Sequence, residues 1–399
     1  MMNRRLFLVT AAAGLAQAQR PLAPIPESIQ KLKPMTGGIQ PITDAERDGR
    51  IEKARGLMRA NKIGALVLEA GSSLHYYTGV RSIGGAWILP ATGAPVWVTP
   101  EAEAGKVAGE VRPYTAAEGP FKKMAATLRR ARIGMEEHVR FAIFDGLRRE
   151  RPAAEFVSAN PVTVGCRVIK SPAELALMRR ANEITIEAYR AVLSTLQEGI
   201  TQRDVSARVA AAYRAMGVQG YAMAIFGKYT AFPHGSVQPQ QLREGDMVLI
   251  DDGCSVEGYQ SDITRTTVFG KPTPRQRHIW DIERKAQDAA LAAARPGVTC
   301  ESVDTAARQV ITAAGFGPGY KLPGLPHRTG HGIGLDGHEW AYLVKGNQTK
   351  LEPGMCFSDE PTLAIYGEFG VRLEDCMYIT EGGAKMFTKQ SPAIDQPFG

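Results

Sequence analysis

A chain of 399 residues is too long for most single cores and predicts two domains with a short tail. Its apolar fraction of 44% and charged fraction of 22% are ordinary for a soluble globular protein. The formal net charge is +7, but the basic residues are scattered rather than gathered into one stripe, which argues against nucleic acid as a partner.

The first residues read as a targeting segment. Met1 to Arg5 is short and positive, Leu6 to Leu15 is apolar and small, and Ala16-Gln17-Ala18 fits a signal-peptidase site. The apolar run is too short to span a bilayer, so residues 1–18 predict export, periplasmic or secreted, without a stable membrane anchor. Arg4-Arg5-Leu6-Phe7-Leu8 resembles a twin-arginine signal, with the general secretory route as the alternative. The five cysteines (Cys166, Cys254, Cys300, Cys356 and Cys376) show no framework spacing and no Cys-x-x-Cys pair, so they are expected as buried free thiols that pack the core.

Residues 19–42 hold Pro21, Pro24, Pro26, Pro34 and Pro41 with little periodicity and read as a linker. Thr43 is a suitable N-cap for a helix to about Asn61, and Ala65 to Leu68 follows as a strand. Ala86 to Leu89 and Val96 to Val98 predict a hairpin around Thr92-Gly93. Helices near 120–130 and 137–149 alternate with short strands, giving a small α/β domain over residues 43–161.

The second domain, 162–399, begins with Ser171-Pro172-Ala173-Glu174: an N-cap serine, proline at the first helical position and glutamate at the third. That helix should run to about Gln197 and close at Gly199. An internal echo follows. Gly199-Ile200-Thr201 leads into an amphipathic helix ending at Gly217, and Gly297-Val298-Thr299 does the same up to Gly315. Each copy follows a long helix, the second opened by Thr273-Pro274 and running to about Arg295. Matched helix pairs imply a pseudo-symmetric domain with helices backing a sheet.

Met247 to Ile250 is an apolar strand leading into Asp251, and Asp262 follows eleven residues later. A hairpin between them would set both aspartates on one side of adjacent strands. His331 lies in Thr329-Gly330-His331-Gly332, where the glycines let the backbone approach a crowded site. Of seven histidines in the chain, three (His327, His331 and His338) fall within twelve residues. A lone histidine is more often a satisfied core residue; three in one glycine-rich stretch favour function. Glu360 and Glu374 sit beside apolar strands, where an unpaired carboxylate is costly to bury. Four carboxylates in one pocket would repel and protonate, whereas two divalent cations balance four negative ligands and a neutral imidazole. A donor set of many carboxylate oxygens, one nitrogen and no thiolate suits manganese, cobalt or iron better than zinc.

These segments resemble the pita-bread metallopeptidases, the family of methionine aminopeptidase, Xaa-Pro aminopeptidase and prolidase, over roughly residues 162–389. The upstream domain resembles the creatinase/prolidase N-terminal domain. The resemblance implies an α/β fold: a pseudo-twofold catalytic domain with a curved antiparallel sheet backed by helices, preceded by the smaller α/β domain. It further implies that Asp251 chelates one metal, that His331 and Glu360 bind the other, and that Asp262 and Glu374 bridge both. His234 in Phe232-Pro233-His234-Gly235 matches a histidine that contacts substrate, and His338 one that hydrogen-bonds the scissile carbonyl. His327 and Arg372 match further positions of the proline-specific branch, and Glu360 is the implied proton shuttle. Two cations, Mn(II) foremost, with Co(II), Fe(II) or Zn(II) as the other choices, would share and acidify a water that attacks the carbonyl before proline. The implied substrates are peptides with proline at the second position, and the implied assembly is a homodimer. Thr362 departs from the glycine usual after the Glu-Pro pair.

Three readings compete: an Xaa-Pro aminopeptidase or dipeptidase, a methionine aminopeptidase or other small-amide hydrolase, and a non-catalytic binding module on the same fold. The complete ligand set, the extra N-terminal domain and His327 with Arg372 favour the first. The choice between aminopeptidase and dipeptidase stays open.

Overall fold

The computed structural model describes residues 21–128 and 132–398; the export signal expected at residues 1–18 lies outside them. The chain divides into two compact units, one spanning Pro41–Ile169 and the other joining the described residues up to Gln40 with Lys170 onward. Among the described residues no helix is long and apolar enough to cross a membrane.

The segment expected as a linker is part of the second unit. Its proline-rich chain carries one short helix, α1 (Glu27–Gln30), whose Ile29 is fully buried. Ala23 N–H donates to Asp204 Oδ1 at 2.7 Å and Met35 N–H to Met216 O at 3.0 Å, so the segment is bound as a strap.

In the Pro41–Ile169 unit, α2 (Asp44–Ala60) starts at a capping box in which Thr43 and Glu46 satisfy each other's backbone donors. The sheet comprises β1 (Ala65–Leu68), β2 (Ala86–Pro90), β3 (Val96–Pro100), β4 (Glu110–Tyr114), β5 (Arg132–Met135) and β6 (Glu155–Ser158), in the order β4-β3-β2-β1-β5-β6. β2 and β3 form the expected antiparallel hairpin. Helices α3 (Ser72–Thr78), α4 (Phe121–Thr127), α5 (Phe141–Glu150) and α6 (Asn160–Arg167) complete the unit. Its core joins Val67, Ile88, Val98 and Ile133 of the sheet to Met124 and Leu147 of the helices. The unit ends at Ile169 rather than at 161, because α6 is tied into it: Cys166 O accepts from Lys53 Nζ at 3.1 Å and from Tyr76 Oη at 3.0 Å.

The second unit is built on α7 (Pro172–Leu193) and α8 (Gln202–Ala215), echoed by α9 (Pro274–Ala293) and α10 (Cys300–Ala313). Ser171, Thr201, Thr273 and Thr299 each cap their helix through the side-chain oxygen. The echo extends into the strands, since Thr201 bridges Gln241 and Thr299 bridges Lys350 in matching antiparallel pairs. α7 stops at Leu193 rather than near Gln197: Thr195 and Leu196 N–H already turn back to residues three earlier.

The strands are β7 (Gln219–Gly220), β8 (Met223–Phe226), β9 (Met247–Asp251), β10 (Cys254–Val256), β11 (Tyr259–Gln260), β12 (Arg265–Val268), β13 (Gly330–Gly332), β14 (Glu339–Leu343), β15 (Cys356–Asp359), β16 (Thr362–Ile365), β17 (Phe369–Arg372), β18 (Asp375–Thr380) and β19 (Gly383–Met386). They form antiparallel sheets ordered β12-β9-β8, β14-β13-β15-β18-β19, β11-β10-β7 and β16-β17. Thr264 and Glu374 pair as an isolated antiparallel bridge, joining the β12 side to the β18 side. The domain is thus the expected mixed α/β, helix-backed architecture.

Candidate metal centre and active site

Three of the five candidate ligands sit where a strand begins or ends. Asp251 closes β9, Glu360 follows β15, Glu374 precedes β18, and His331 is the middle residue of β13. Asp262 is not on a strand adjacent to Asp251, as a simple hairpin would have it. Residues 254–260 fold into their own small hairpin, β10–β11, and Asp262 lies in the loop that returns the chain to β12. His331 can sit between two strands because its neighbours lack side chains. A Cβ on Gly330 would stand 2.1 Å from Ser358 O, and one on Gly332 2.6 Å from Glu339 O.

These turns bring the donors into two overlapping groups. Asp251, Asp262 and Glu374 form one, and His331, Glu360 and Glu374 the other, with ligand atoms of each within 4.8 Å of one another. Asp262 also lies within that range of His331 and His338. His331 Nδ1 is 3.0 Å from Gly332 O, a geometry that places the proton on Nδ1 and leaves Nε2 with its lone pair. Nε2 then faces Glu360 Oε1 at 3.2 Å and Asp262 Oδ2 at 3.7 Å, where a cation, or in its absence a proton, sits between ring and carboxylate. Glu374 Oε1 is buried with no hydrogen-bond partner. Burial, Asp251 and Glu360 push the Asp262 carboxyl well above its usual range, and burial, Asp262 and Glu360 do the same to Glu374. Glu360 is the exception: burial alone would raise it, but His331, His327 and Arg372 hold it below the usual range. Cations placed among these groups relieve the repulsion, satisfy the orphan oxygen and use the free imidazole lone pair, so the residues fit divalent metal ions.

The supporting residues were largely invisible to sequence reasoning. Thr264, two positions after Asp262, places its hydroxyl 2.6 Å from both Asp251 Oδ1 and Glu374 Oε2. Cys376 does more than pack: its thiol accepts from Asp262 N–H at 3.3 Å and donates to Asp262 O at 3.1 Å. All five cysteines are free and buried. Arg372 is largely buried but still lines the cleft that holds the ligands. It pairs with Asp251, donates to Thr264 Oγ1 at 3.0 Å and to Pro233 O at 3.0 Å, and so ties the His234 loop to the ligands. Those carboxylates raise its pKa against the lowering effect of burial.

The ligands line a cleft of about 320 Å³ that also receives His234, His327, Arg328 and His338. Thr362 opens β16 opposite Arg372, and its hydroxyl lies 2.9 Å from His327 Nε2. His327 Nδ1 is 2.6 Å from Arg328 O, so both its nitrogens are engaged and the ring face is what it offers a ligand. His338 stacks on His331 with ring centroids 3.9 Å apart. Arg328, which can only donate, meets His338 Nδ1 at 3.1 Å, so the His338 proton resides on Nε2. Burial, His331 and Arg328 push His338 down to about 4, which keeps it neutral. His234 is exposed at the rim, its ring 6.4 Å from that of His327.

Comparison with known proteins agrees with this geometry. Residues 50–169 match the creatinase/prolidase N-terminal domain, and residues 176–381 match metallopeptidase family M24. The chain is 31% identical over 344 residues to an Xaa-Pro dipeptidase of Pyrococcus furiosus, covering 85% of this chain and 97% of that one. Among solved structures, dipeptidase PepE of Mycobacterium ulcerans superposes with a TM-score of 0.80 at 31% identity, covering 88% of this chain and 97% of that chain. A prolidase from Thermococcus sibiricus gives a TM-score of 0.80 at 27% identity, with 86% and 96% covered. With its catalytic unit matched throughout the segment that carries all five carboxylate and imidazole donors, the chain belongs to metallopeptidase family M24.

Proposed function

We propose that this protein hydrolyses the peptide bond between an N-terminal residue and a following proline, using two divalent metal ions held by Asp251, Asp262, His331, Glu360 and Glu374. The observation that carries the reading is the convergence of two overlapping ligand groups in one cleft with two differently prepared histidines, His327 and His338. The relatives named Xaa-Pro dipeptidase and prolidase support the substrate class. Bound metal would supply Lewis acidity and lower the pKa of the attacking water. The protein's own groups do the rest. His338 Nε2–H is a neutral donor that can meet the scissile carbonyl oxygen and strengthen its hold as negative charge develops there. Glu360, held ionised, is suited to take the proton of the attacking water and return it to the leaving proline nitrogen. The His327 ring face, fixed by Thr362 and Arg328, offers an apolar wall for a proline ring.

The oxygen-rich donor set favours manganese as the native metal. The sequence at residues 1–18 supports export, which detection of the mature form in a periplasmic or culture fraction tests. A homodimer is the assembly expected from the family resemblance, and light scattering at micromolar concentration tests it.

The decisive experiment is hydrolysis of Ala-Pro, Ala-Pro-Ala and Met-Ala-Ser by manganese-loaded protein, with a chelated control. Chelator-sensitive cleavage before proline is the expected result, and the preferred peptide length separates dipeptidase from aminopeptidase. Cleavage of Met-Ala-Ser alone would replace the reading with a methionine-specific one.

A further inference from the structure

The chain between α10 and β13 forms no helix or strand, yet it brings His327 to the cleft and leads into His331. A loop of that kind has backbone carbonyls that no ladder satisfies, so the groups it bonds to instead decide where its side chains stand. Here the partner is Arg308 of α10. Its Nη1 donates to Gly319 O at 2.7 Å and to Leu325 O at 3.0 Å, and its Nη2 donates to His327 O. Its Nε donates to Asp304 Oδ2 at 2.7 Å, one helical turn back. Four of the five N–H donors of the guanidinium are thereby used, and the Tyr320 ring lies against it, with 4.1 Å from Cζ to the ring centroid.

Asp304 carries a second arm. It is fully buried, and its Oδ1 accepts from Thr329 N–H at 3.1 Å and from the Thr329 hydroxyl at 2.8 Å. Thr329 O in turn accepts from Glu360 N–H at 2.8 Å. One ion pair on α10 therefore holds both the backbone of His327, which walls the cleft, and the backbone of a candidate metal ligand. Neither Arg308 nor Asp304 lines the cleft, so what they do for the reaction they do through those two residues.

The His327 ring is bonded at Nδ1 and Nε2 by Arg328 and Thr362, and Arg308 bonds the same residue through its backbone. Ring and main chain are thus held from opposite sides, which fixes how far the ring face stands from the ligands. A displacement of about 1 Å by a change outside the reacting groups is enough to cost an enzyme about a hundredfold. Lysine cannot take over this role. It donates from a single point, whereas the flat guanidinium reaches a carboxylate and three carbonyls at once.

We propose that Arg308, braced by Asp304, is a positioning residue for proline recognition, setting the His327 ring at the distance that fits a five-membered ring. The proposal rests on the Xaa-Pro reading above and adds the group that tunes it. The matched helix α8 supplies a control. It carries Asp204 and Arg208 at the same separation, but buried Arg208 donates to Thr195 O at 2.6 Å and Thr195 Oγ1 at 3.1 Å, and Thr195 does not line the cleft.

The test measures kcat and KM for Ala-Pro and for Ala-pipecolate, whose ring is one methylene larger. It uses the metal-loaded full chain and the variants Arg308→Lys, Tyr320→Ala and Arg208→Lys. The wild type is expected to favour Ala-Pro by about tenfold or more, the usual scale for discriminating one methylene. Arg308→Lys should cut that preference about fivefold or more, chiefly by raising KM for Ala-Pro, since a wall holds substrate and transition state alike. Tyr320 is 46% exposed, so Tyr320→Ala keeps the fold and decides the matter if Arg308→Lys does not fold. It admits water to the guanidinium and should cut the preference about twofold or more. Arg208→Lys should lower Tm and leave the preference at the wild-type value. An unchanged preference in the Arg308 and Tyr320 variants, or an equal loss in Arg208→Lys, overturns the positioning role. Equal use of both substrates by the wild type also overturns it and leaves the peptidase reading standing. Cleavage of neither substrate by the wild type overturns both.

Discussion

Lys170 and Glu339 form a buried ion pair whose removal should be felt both in stability and at His338. Their charged atoms are 3.0 Å apart, and the side chains are 2% and 6% exposed. Glu339 also accepts from Leu335 N–H at 2.9 Å and Asp336 N–H at 3.1 Å through its other oxygen, gripping the turn that carries His338. The substitution Lys170→Met keeps the aliphatic stem and removes the charge, so buried Glu339 loses its 3.0 Å ion pair with Lys170. Breaking one partner of a buried pair costs about 3–5 kcal/mol, because the remaining charge loses its compensation without regaining water. For a domain of this size that corresponds to a fall in Tm of roughly 6–20 °C at about 2–4 °C per kcal/mol. Scanning calorimetry and urea unfolding of the full chain measure it, with the catalytic unit's transition followed separately from that of the Pro41–Ile169 unit. A double variant, Lys170→Met with Glu339→Gln, keeps an acceptor for the two N–H groups and removes the stranded charge, so it should be more stable than Lys170→Met alone. The single variant should also lose turnover, since the turn beneath His338 loosens. A Lys170→Met protein within 1 kcal/mol of wild type would refute the argument, because Glu339 would then have to reach solvent or another cation.

Asp262→Ala and Glu374→Ala should each abolish binding of a metal pair, because each residue belongs to more than one of the ligand groups; metal content by mass spectrometry that stays at the wild-type level would refute the bridging assignment. His338→Ala should retain its metals and lose about 10²–10³-fold in turnover, the usual cost of removing one donor to a developing oxyanion. Since His338 is pushed down to about 4, it is already neutral above pH 5, and its loss should lower the pH–rate profile between pH 5 and 8 uniformly without shifting it. Glu283 is fully buried on α9 with neither carboxyl oxygen hydrogen-bonded, and burial raises its pKa well above the usual value. The folded state therefore binds a proton that the unfolded state releases, so stability falls as pH rises above the unfolded carboxyl value, by up to about 1.4 kcal/mol per pH unit. Glu283→Gln should stabilise the protein at pH 7 and lose that advantage toward pH 4; a gain that is the same at both pH values would show that the carboxyl is ionised in the fold.

The helices were legible because their ends are written locally. Thr43 with Glu46, Ser171 with Glu174, and Thr273 with Gln276 each place a side-chain acceptor three residues from the donor it satisfies, and no distant residue is needed to complete the box. The two Gly-x-Thr openings at Gly199 and Gly297 were legible as a repeat for the same reason, and the helices they begin are both 14 residues long. The ligand set could be named because carboxylates beside apolar strands and a histidine between glycines are costly arrangements that a sequence retains for a purpose. Less local matters were misjudged. The strap looked like a linker because its prolines show no period; its attachment depends on Asp204, more than 180 residues away. The Asp251–Asp262 spacing looked like one hairpin because pairing partners are not visible in the intervening residues, which fold on β7 instead.

The sequence by itself determined which residues carry charge and imidazole nitrogen, where helices start, and that four carboxylates in one fold require compensation. The tertiary structure decided what each of them can do. The tautomers of His327 and His338 follow from Arg328, which offers a carbonyl to one ring and a guanidinium to the other. The hold of Thr264 on two carboxylates, the clasp of Cys376 on Asp262 and the Lys170–Glu339 pair all join residues that are remote in the chain or turned together by a bridge between sheets. Such contacts are set by which strand ends meet, and chain connectivity alone does not specify that: the free energy that selects one meeting of strand ends over another comes from burying the whole apolar core at once.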